Sequence, residues 1–166
     1  FNGEIYNWRE LKLELEHLGH EFISTSDTEV VLIGYQVWRE KLLLRLEGMF
    51  SIAIWDNLDN ELFLAVDRVG EKPLYYFSDK DNFIFGSSVS SVALKSAKEL
   101  VNAFAISNYL SNCFISSKET IWKNVQRLSP ANYIKIKVGT KEKIKKYWDL
   151  PNSPPIKVNF KNCINK

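Results

Sequence analysis

The amino-acid sequence predicts an α+β layered domain. Runs with a two-residue hydrophobic period come in neighbouring pairs joined by short polar turns, the pattern of antiparallel hairpins. Runs with a helical period flank those pairs, and no regular strand–helix–strand alternation recurs, which argues against a parallel sheet.

Taken in order, residues 7–19 read as a short amphipathic helix. Asn7 stands as N-cap, Glu10 as its capping-box partner, and Leu11, Leu15 and Leu18 share one face before Gly19. A strand over 20–23 follows. Ser24, Thr25, Ser26 and Asp27 form a polar turn rich in capping residues, and Val30, Val31, Ile33, Tyr35, Val37 and Trp38 continue as a mostly buried helix. A second short helix spans 41–46. From Met49 the period becomes two, with Phe50, Ile52 and Ile54 on one face, and 61–66 returns as the antiparallel partner after a polar turn at 56–60. The loop 67–73 leads into a second hairpin, 74–77 with 83–85. Helices are expected over 89–97 and 103–110, and a last hairpin pairs 133–138 with 143–148 around Gly139 and Thr140. Pro151, Pro154 and Pro155 then mark a linker, so the expected division is a domain over 1–150 and a linker stub over 151–166.

The chain has 166 residues, 45% of them hydrophobic, enough for one domain with a real core. Its 22 Lys and Arg against 20 Asp and Glu leave a net charge of +2, too close to neutral to advertise a nucleic-acid partner or a charged membrane surface. No apolar run is long enough to span a bilayer and no secretory leader opens the chain, so a cytoplasmic setting is expected. Cys113 and Cys163 have no Cys or His at ligand spacing and make neither a disulfide framework nor a metal site, and His17 and His20 read as surface residues.

Three segments could carry chemistry. Asn2-Gly3-Glu4 reads as a short loop turning at Gly3: either a plain turn before a helix, or an oxyanion hole with the Asn2 amide and the Gly3 N–H as donors. Asp27 is either a plain helix cap or a carboxylate that backbone N–H groups hold while one oxygen takes a ligand ammonium. Asp67 to Pro73 is either a solvated loop with an internal ion pair or, through Arg68 and Lys72, a docking or phosphate contact. No nucleophile elbow and no glycine-rich phosphate loop occurs.

Phe1-Asn2-Gly3-Glu4-Ile5-Tyr6-Asn7, Ser26-Asp27-Thr28-Glu29-Val30, the run from Leu46 to Asp56, and Asp67-Arg68-Val69-Gly70-Glu71-Lys72-Pro73-Leu74-Tyr75-Tyr76 come in an order that closely resembles one family. It is the glutaminase domain of glutamine-hydrolysing asparagine synthetases. Phe85-Gly86-Ser87-Ser88, Leu128-Ser129-Pro130-Ala131 and Lys146-Tyr147-Trp148-Asp149-Leu150 extend the resemblance over roughly residues 1–150. It implies a class II glutamine amidotransferase of the N-terminal-nucleophile type, a four-layer αββα sandwich of two antiparallel sheets between helices. In that family an N-terminal Cys, with its own α-amine as base, attacks the glutamine side-chain amide. Carried over by motif, Asn2 and Gly3 form the oxyanion hole, and Asn2, Gly3, Glu4 and Asp27 hold glutamine, Asp27 by its α-ammonium.

The sequence departs from the family at both ends. Phe1 is no initiator Met, and the positions of the nucleophile and of the carboxylate-binding Arg segment fall upstream of Asn2, so the fold is expected to lack its first strands. The synthetase half, with ATP and Mg as its cofactors, falls beyond the linker. No cofactor is expected in these residues. The expected partners are glutamine and a synthetase domain in cis, with a homodimer left open. The leading expectation is glutamine hydrolysis feeding ammonia to the ATP-dependent amidation of aspartate, the isolated chain being inactive. A catalytically dead docking module, or an amidotransferase with another acceptor, is the alternative.

Overall fold

The computed structural model describes residues 1–96, 100–115 and 118–151. Its first elements are β1 (Asn2–Ile5), α1 (Trp8–His17), α2 (Asp27–Trp38), a 3-10 turn (Arg39–Lys41) and α3 (Leu42–Arg45). Then come β2 (Gly48–Asp56), β3 (Glu61–Val66), β4 (Tyr75–Ser78), β5 (Phe83–Gly86), α4 (Val89–Ala93), α5 (Ala103–Asn112), β6 (Gln126–Arg127), β7 (Asn132–Lys137) and β8 (Lys143–Lys146). One sheet has the order β1-β2-β3-β7-β8, the other β5-β4-β6, and every pair is antiparallel. All three predicted hairpins form.

The layering follows from side-chain alternation along the strands. Phe63 and Ala65 of β3 point, with Phe50 and Ile52 of β2 and Tyr133 of β7, into a cluster with Leu11 and Leu15 of α1, Val30, Val31 and Tyr35 of α2, and Leu42 and Leu43 of α3. Leu64 and Val66, one residue out of step, join Leu74, Tyr76, Leu128 and Ile134 between the two sheets. On the far face of the second sheet, Phe77 meets Val92, Ala93 and Val125, with Tyr75 and Ile84 partly buried beside them. Helices, sheet, sheet and helix therefore stack as the predicted αββα sandwich. Phe63 lies at the centre of the first cluster, its ring centroid 4.7 Å from Tyr35 and 5.6 Å from Tyr133.

Several local expectations give way to longer-range contacts. Asn2-Gly3-Glu4 is not a turn but the edge strand β1. Residues 20–23 form no strand: the Ile23 and Ser24 N–H groups donate to the Glu29 carboxylate at 2.9 and 2.7 Å, and no neighbouring strand takes the segment up. Asn7 precedes α1 without a side-chain cap, because its amide donates to Arg45 O at 2.9 Å and its oxygen accepts from Glu47 N at 3.1 Å. Leu18 falls past the last turn and is exposed. The two-residue β6 was not predicted. The helix expected over 89–97 ends at Ala93, and residues 97 and 152–166, with Pro154, Pro155 and Cys163, lie outside the described residues. No helix among the described residues is long and apolar enough to cross a membrane.

Candidate active site

The candidate site is built on β1, an edge of the five-stranded sheet. Gly3 pairs with Phe50 and Ile5 with Gly48. The two strands approach so closely that a Cβ on Gly3 would lie 2.1 Å from Met49 O, and one on Gly48 would lie 2.1 Å from Glu4 O. Both glycines also have positive φ, 151° and 149°, which side-chain-bearing residues avoid. Phe50 commits its N–H and its carbonyl to Asp67, on the side away from β1, so Phe50 and Gly3 are a pair without mutual hydrogen bonds. Alternation then turns the Gly3 N–H outward, as it turns that of Ile5, whose donor is taken by Asp27. Asn2 and Glu4 are exposed on the same short strand.

Asp27 reaches this strand from the first turn of α2. Ser26, not Asp27, is the N-cap: its hydroxyl accepts from Thr28 N at 3.1 Å. Asp27 is thereby released to accept from Ile5 N through Oδ2 at 3.1 Å, while Oδ1 has, among the described residues, only the Thr28 hydroxyl, at 3.4 Å. The loop before the helix is braced by Glu29, whose carboxyl is held below the usual range, chiefly by the Ile23 N–H and then by Ser24. Asn2, Gly3, Glu4 and Asp27 are thus linked through one hydrogen bond between helix and edge strand. That arrangement can supply the outward Gly3 N–H and a half-satisfied carboxylate side by side, which suits a ligand carrying both a carbonyl oxygen and an ammonium.

The charged loop after β3 differs from expectation. Asp67 is buried, and no Asp67–Arg68 ion pair forms. Its Oδ1 accepts from the N–H groups of Val69, Gly70 and Glu71 at 3.1, 2.7 and 3.0 Å, and its Oδ2 from Phe50 and Lys72 at 3.2 and 3.1 Å. Arg68 donates to Leu44 O at 3.1 Å and lies 5.8 Å over the Trp148 ring. Nothing in residue spacing marks Asp67 as a five-donor anchor. Its only signal is an Asp immediately before a Gly- and Pro-punctuated loop.

The remaining candidates stand apart from this group. His17 ends α1 and Cys113 ends α5 in a left-handed conformation, both exposed. A cleft of about 780 Å³ opens at the Trp55 end of β2, lined by Trp55, Leu62, Phe83 and Ile136, and holds none of the predicted site residues. Among the described residues no group of His, Cys, Asp or Glu is arranged to hold a metal.

Known proteins resemble this chain in sequence and in fold. A family described as "Glutamine amidotransferase domain" matches residues 1–148. The chain is similar to asparagine synthetase [glutamine-hydrolyzing] 1 of Bacillus subtilis, 35% identical over 161 residues that cover 97% of this chain and 24% of that protein. It is similar to asparagine synthetase [glutamine-hydrolyzing] 2 of the same organism, 39% identical over 90% of this chain and 21% of the relative. A putative asparagine synthetase [glutamine-hydrolyzing] of Methanocaldococcus jannaschii is 35% identical over 94% of the chain and 30% of its own length. The chain therefore spans about a quarter of the length of these relatives. Among solved structures, a glutamine phosphoribosylpyrophosphate amidotransferase from B. subtilis superposes with a TM-score of 0.64 at 20% identity, over 89% of this chain and 28% of the other, a likeness of fold. With its αββα layers and a family match over residues 1–148, this chain belongs to the glutamine amidotransferase domain family.

Proposed function

We propose that residues 1–150 form the glutamine-binding part of a glutaminase domain, which releases ammonia for the ATP-dependent amidation of aspartate to asparagine. The observation that carries the reading is the Asp27–Ile5 hydrogen bond, because it sets a carboxylate oxygen beside the strand that bears the Asn2 and Gly3 donors. In this reading the attacking thiol, a Cys with its own α-amine as base, is supplied from outside residues 1–166. As it adds to the glutamine side-chain amide, the carbonyl oxygen becomes an oxyanion. The Asn2 amide and the Gly3 N–H donate to it. Ammonia leaves with a proton from the protonated amine, and water resolves the thioester. Asp27 Oδ1 accepts from the α-ammonium of glutamine, and Glu4 adds negative charge on the same side. ATP and Mg serve the amidation in a following synthetase domain, to which residues 151–166 lead. The 35–39% identity to glutamine-hydrolysing asparagine synthetases supports aspartate as the acceptor.

Kinetics of the intact protein test this. Asp27→Ala raises KM for glutamine at least tenfold or so, the loss of one charge-assisted contact, and leaves ammonia-dependent synthesis unchanged. Asn2→Ala lowers glutamine-dependent kcat by about 10² to 10³. Equal loss of glutamine- and ammonia-dependent activity in both variants would show that these residues only hold the fold. Residues 1–166 alone release no glutamate from glutamine.

A further inference from the structure

We propose that Asp67 is a positioning residue for the oxyanion donors, acting through Phe50, the residue of β2 that faces Gly3. Phe50 lies inside a central strand, yet both its backbone polar groups are held by one residue beyond the end of β3. Its N–H donates to Asp67 Oδ2 at 3.2 Å, and its carbonyl accepts from Asp67 N at 2.9 Å. Asp67 is in turn fixed from the other side. Three loop N–H groups converge on Oδ1, the Ala131 N–H donates to its carbonyl at 2.9 Å, and the residue is 1% exposed. Opposite Phe50, Gly3 has no slack: the room a Cβ would need is already taken by Met49 O and by Phe50 Cα, at 2.1 and 2.7 Å. A displacement of β2 at Phe50 therefore passes directly to Gly3 and to the neighbouring Asn2. Five backbone donors on one carboxylate also define the effect of Asp67→Asn. The amide oxygen keeps the three loop donors, and the amide nitrogen meets the Phe50 and Lys72 N–H groups donor to donor. The lesion falls on Phe50 of the strand and on Lys72 at the far end of the loop.

The inference rests on the glutaminase reading. If the unmodified intact protein releases no glutamate from glutamine, that reading fails before Asp67 is touched. Given that activity, Asp67→Asn lowers kcat for glutamine by roughly ten- to a hundredfold, the scale of a small misplacement of catalytic groups. KM for glutamine and ammonia-dependent synthesis stay unchanged. Affinity for a glutamine-derived aldehyde, whose adduct carries the oxyanion, falls by the same factor, while inhibition by glutamate does not move. Arg127→Met, which removes the Arg127 Nη2 contact to Gly70 O in the same loop, is the control for mere loosening and keeps kcat. An unchanged kcat in Asp67→Asn, an equal fall in Arg127→Met, a parallel loss of ammonia-dependent synthesis, or loss of soluble protein on Asp67→Asn alone overturns the proposal.

Discussion

Gly3 shows how one backbone position joins fold to site. It has no side chain to bind anything. Its role is to let β1 approach β2 until Met49 O occupies the space of a Cβ, 2.1 Å away. Gly3→Ala must either push the strands apart or move β1 off its register. Added to a φ that non-glycine residues disfavour, this costs at least about 2 kcal/mol and removes glutamine-dependent activity. Urea denaturation checks the first part, and an unchanged midpoint would contradict the close approach. Gly48→Ala is expected to behave alike, since the same contact recurs from the other strand. In sequence, Asn-Gly suggests a turn, because glycine's freedom is used most often there. A glycine needed for close approach within a strand has the same one-letter signature, and only the partner strand separates the two.

At the scale of elements, the periodic segments were legible and the contacts between their ends were not. The two-residue period of β2 and β3 and the apolar faces of α1 and α2 depend on neighbours a few positions away, and the structure keeps them, Leu18 of the expected α1 face excepted. Asn7 looks like a helix cap by the same local logic, yet its side chain binds Arg45 O and Glu47 N some forty residues on and ties α1 to the start of β2. Residues 20–23 carry strand-forming side chains, but with no strand beside them the Glu29 carboxylate takes the backbone donors instead. Ser26 was one of several capping residues in a row and became the cap, which leaves Asp27 for Ile5. Ser26→Ala therefore costs about 1 kcal/mol of stability, the usual loss of an N-cap. It also raises KM for glutamine, because the first turn that carries Asp27 frays. Thermal unfolding and glutamine kinetics measured together check this. A stability loss with KM unchanged would show that Asp27 is held by Ile5 alone.

Across the whole molecule, the layers are held by side chains that alternate between two clusters, and tyrosines sit in both. Tyr76 lies between the sheets, stacked near Phe83 and donating to Gln126 at 2.7 Å. Tyr35 and Tyr133 flank Phe63 under the helices, and the Tyr147 hydroxyl donates to Val66 O at 2.9 Å. Burial raises all four hydroxyls above the ordinary value of 10.0, Tyr76 to about 12, with Glu142 adding to it, and the charge of Asp67 adds to the shift of Tyr147. The folded protein then keeps protons that the unfolded chain releases, so this stability is whole below pH 10.0 and is lost as pH climbs toward 12. Tyr76 contributes a slope of up to about 1.4 kcal/mol per pH unit in that window. A series of denaturation midpoints through the window should fall steeply, and Tyr76→Phe should start less stable, for want of the Gln126 bond, and fall less steeply. A slope that Tyr76→Phe leaves unchanged would mean that the inter-sheet layer admits water to Tyr76. The same experiment bears on the site, because β3 carries side chains of both clusters: once the inter-sheet layer ionises and opens, the Asp67 that follows Val66 loses its hold on Phe50. Glutamine-dependent activity should therefore fall before global unfolding as pH rises. Loss of activity only together with the unfolding transition would show that the two layers fail as one unit.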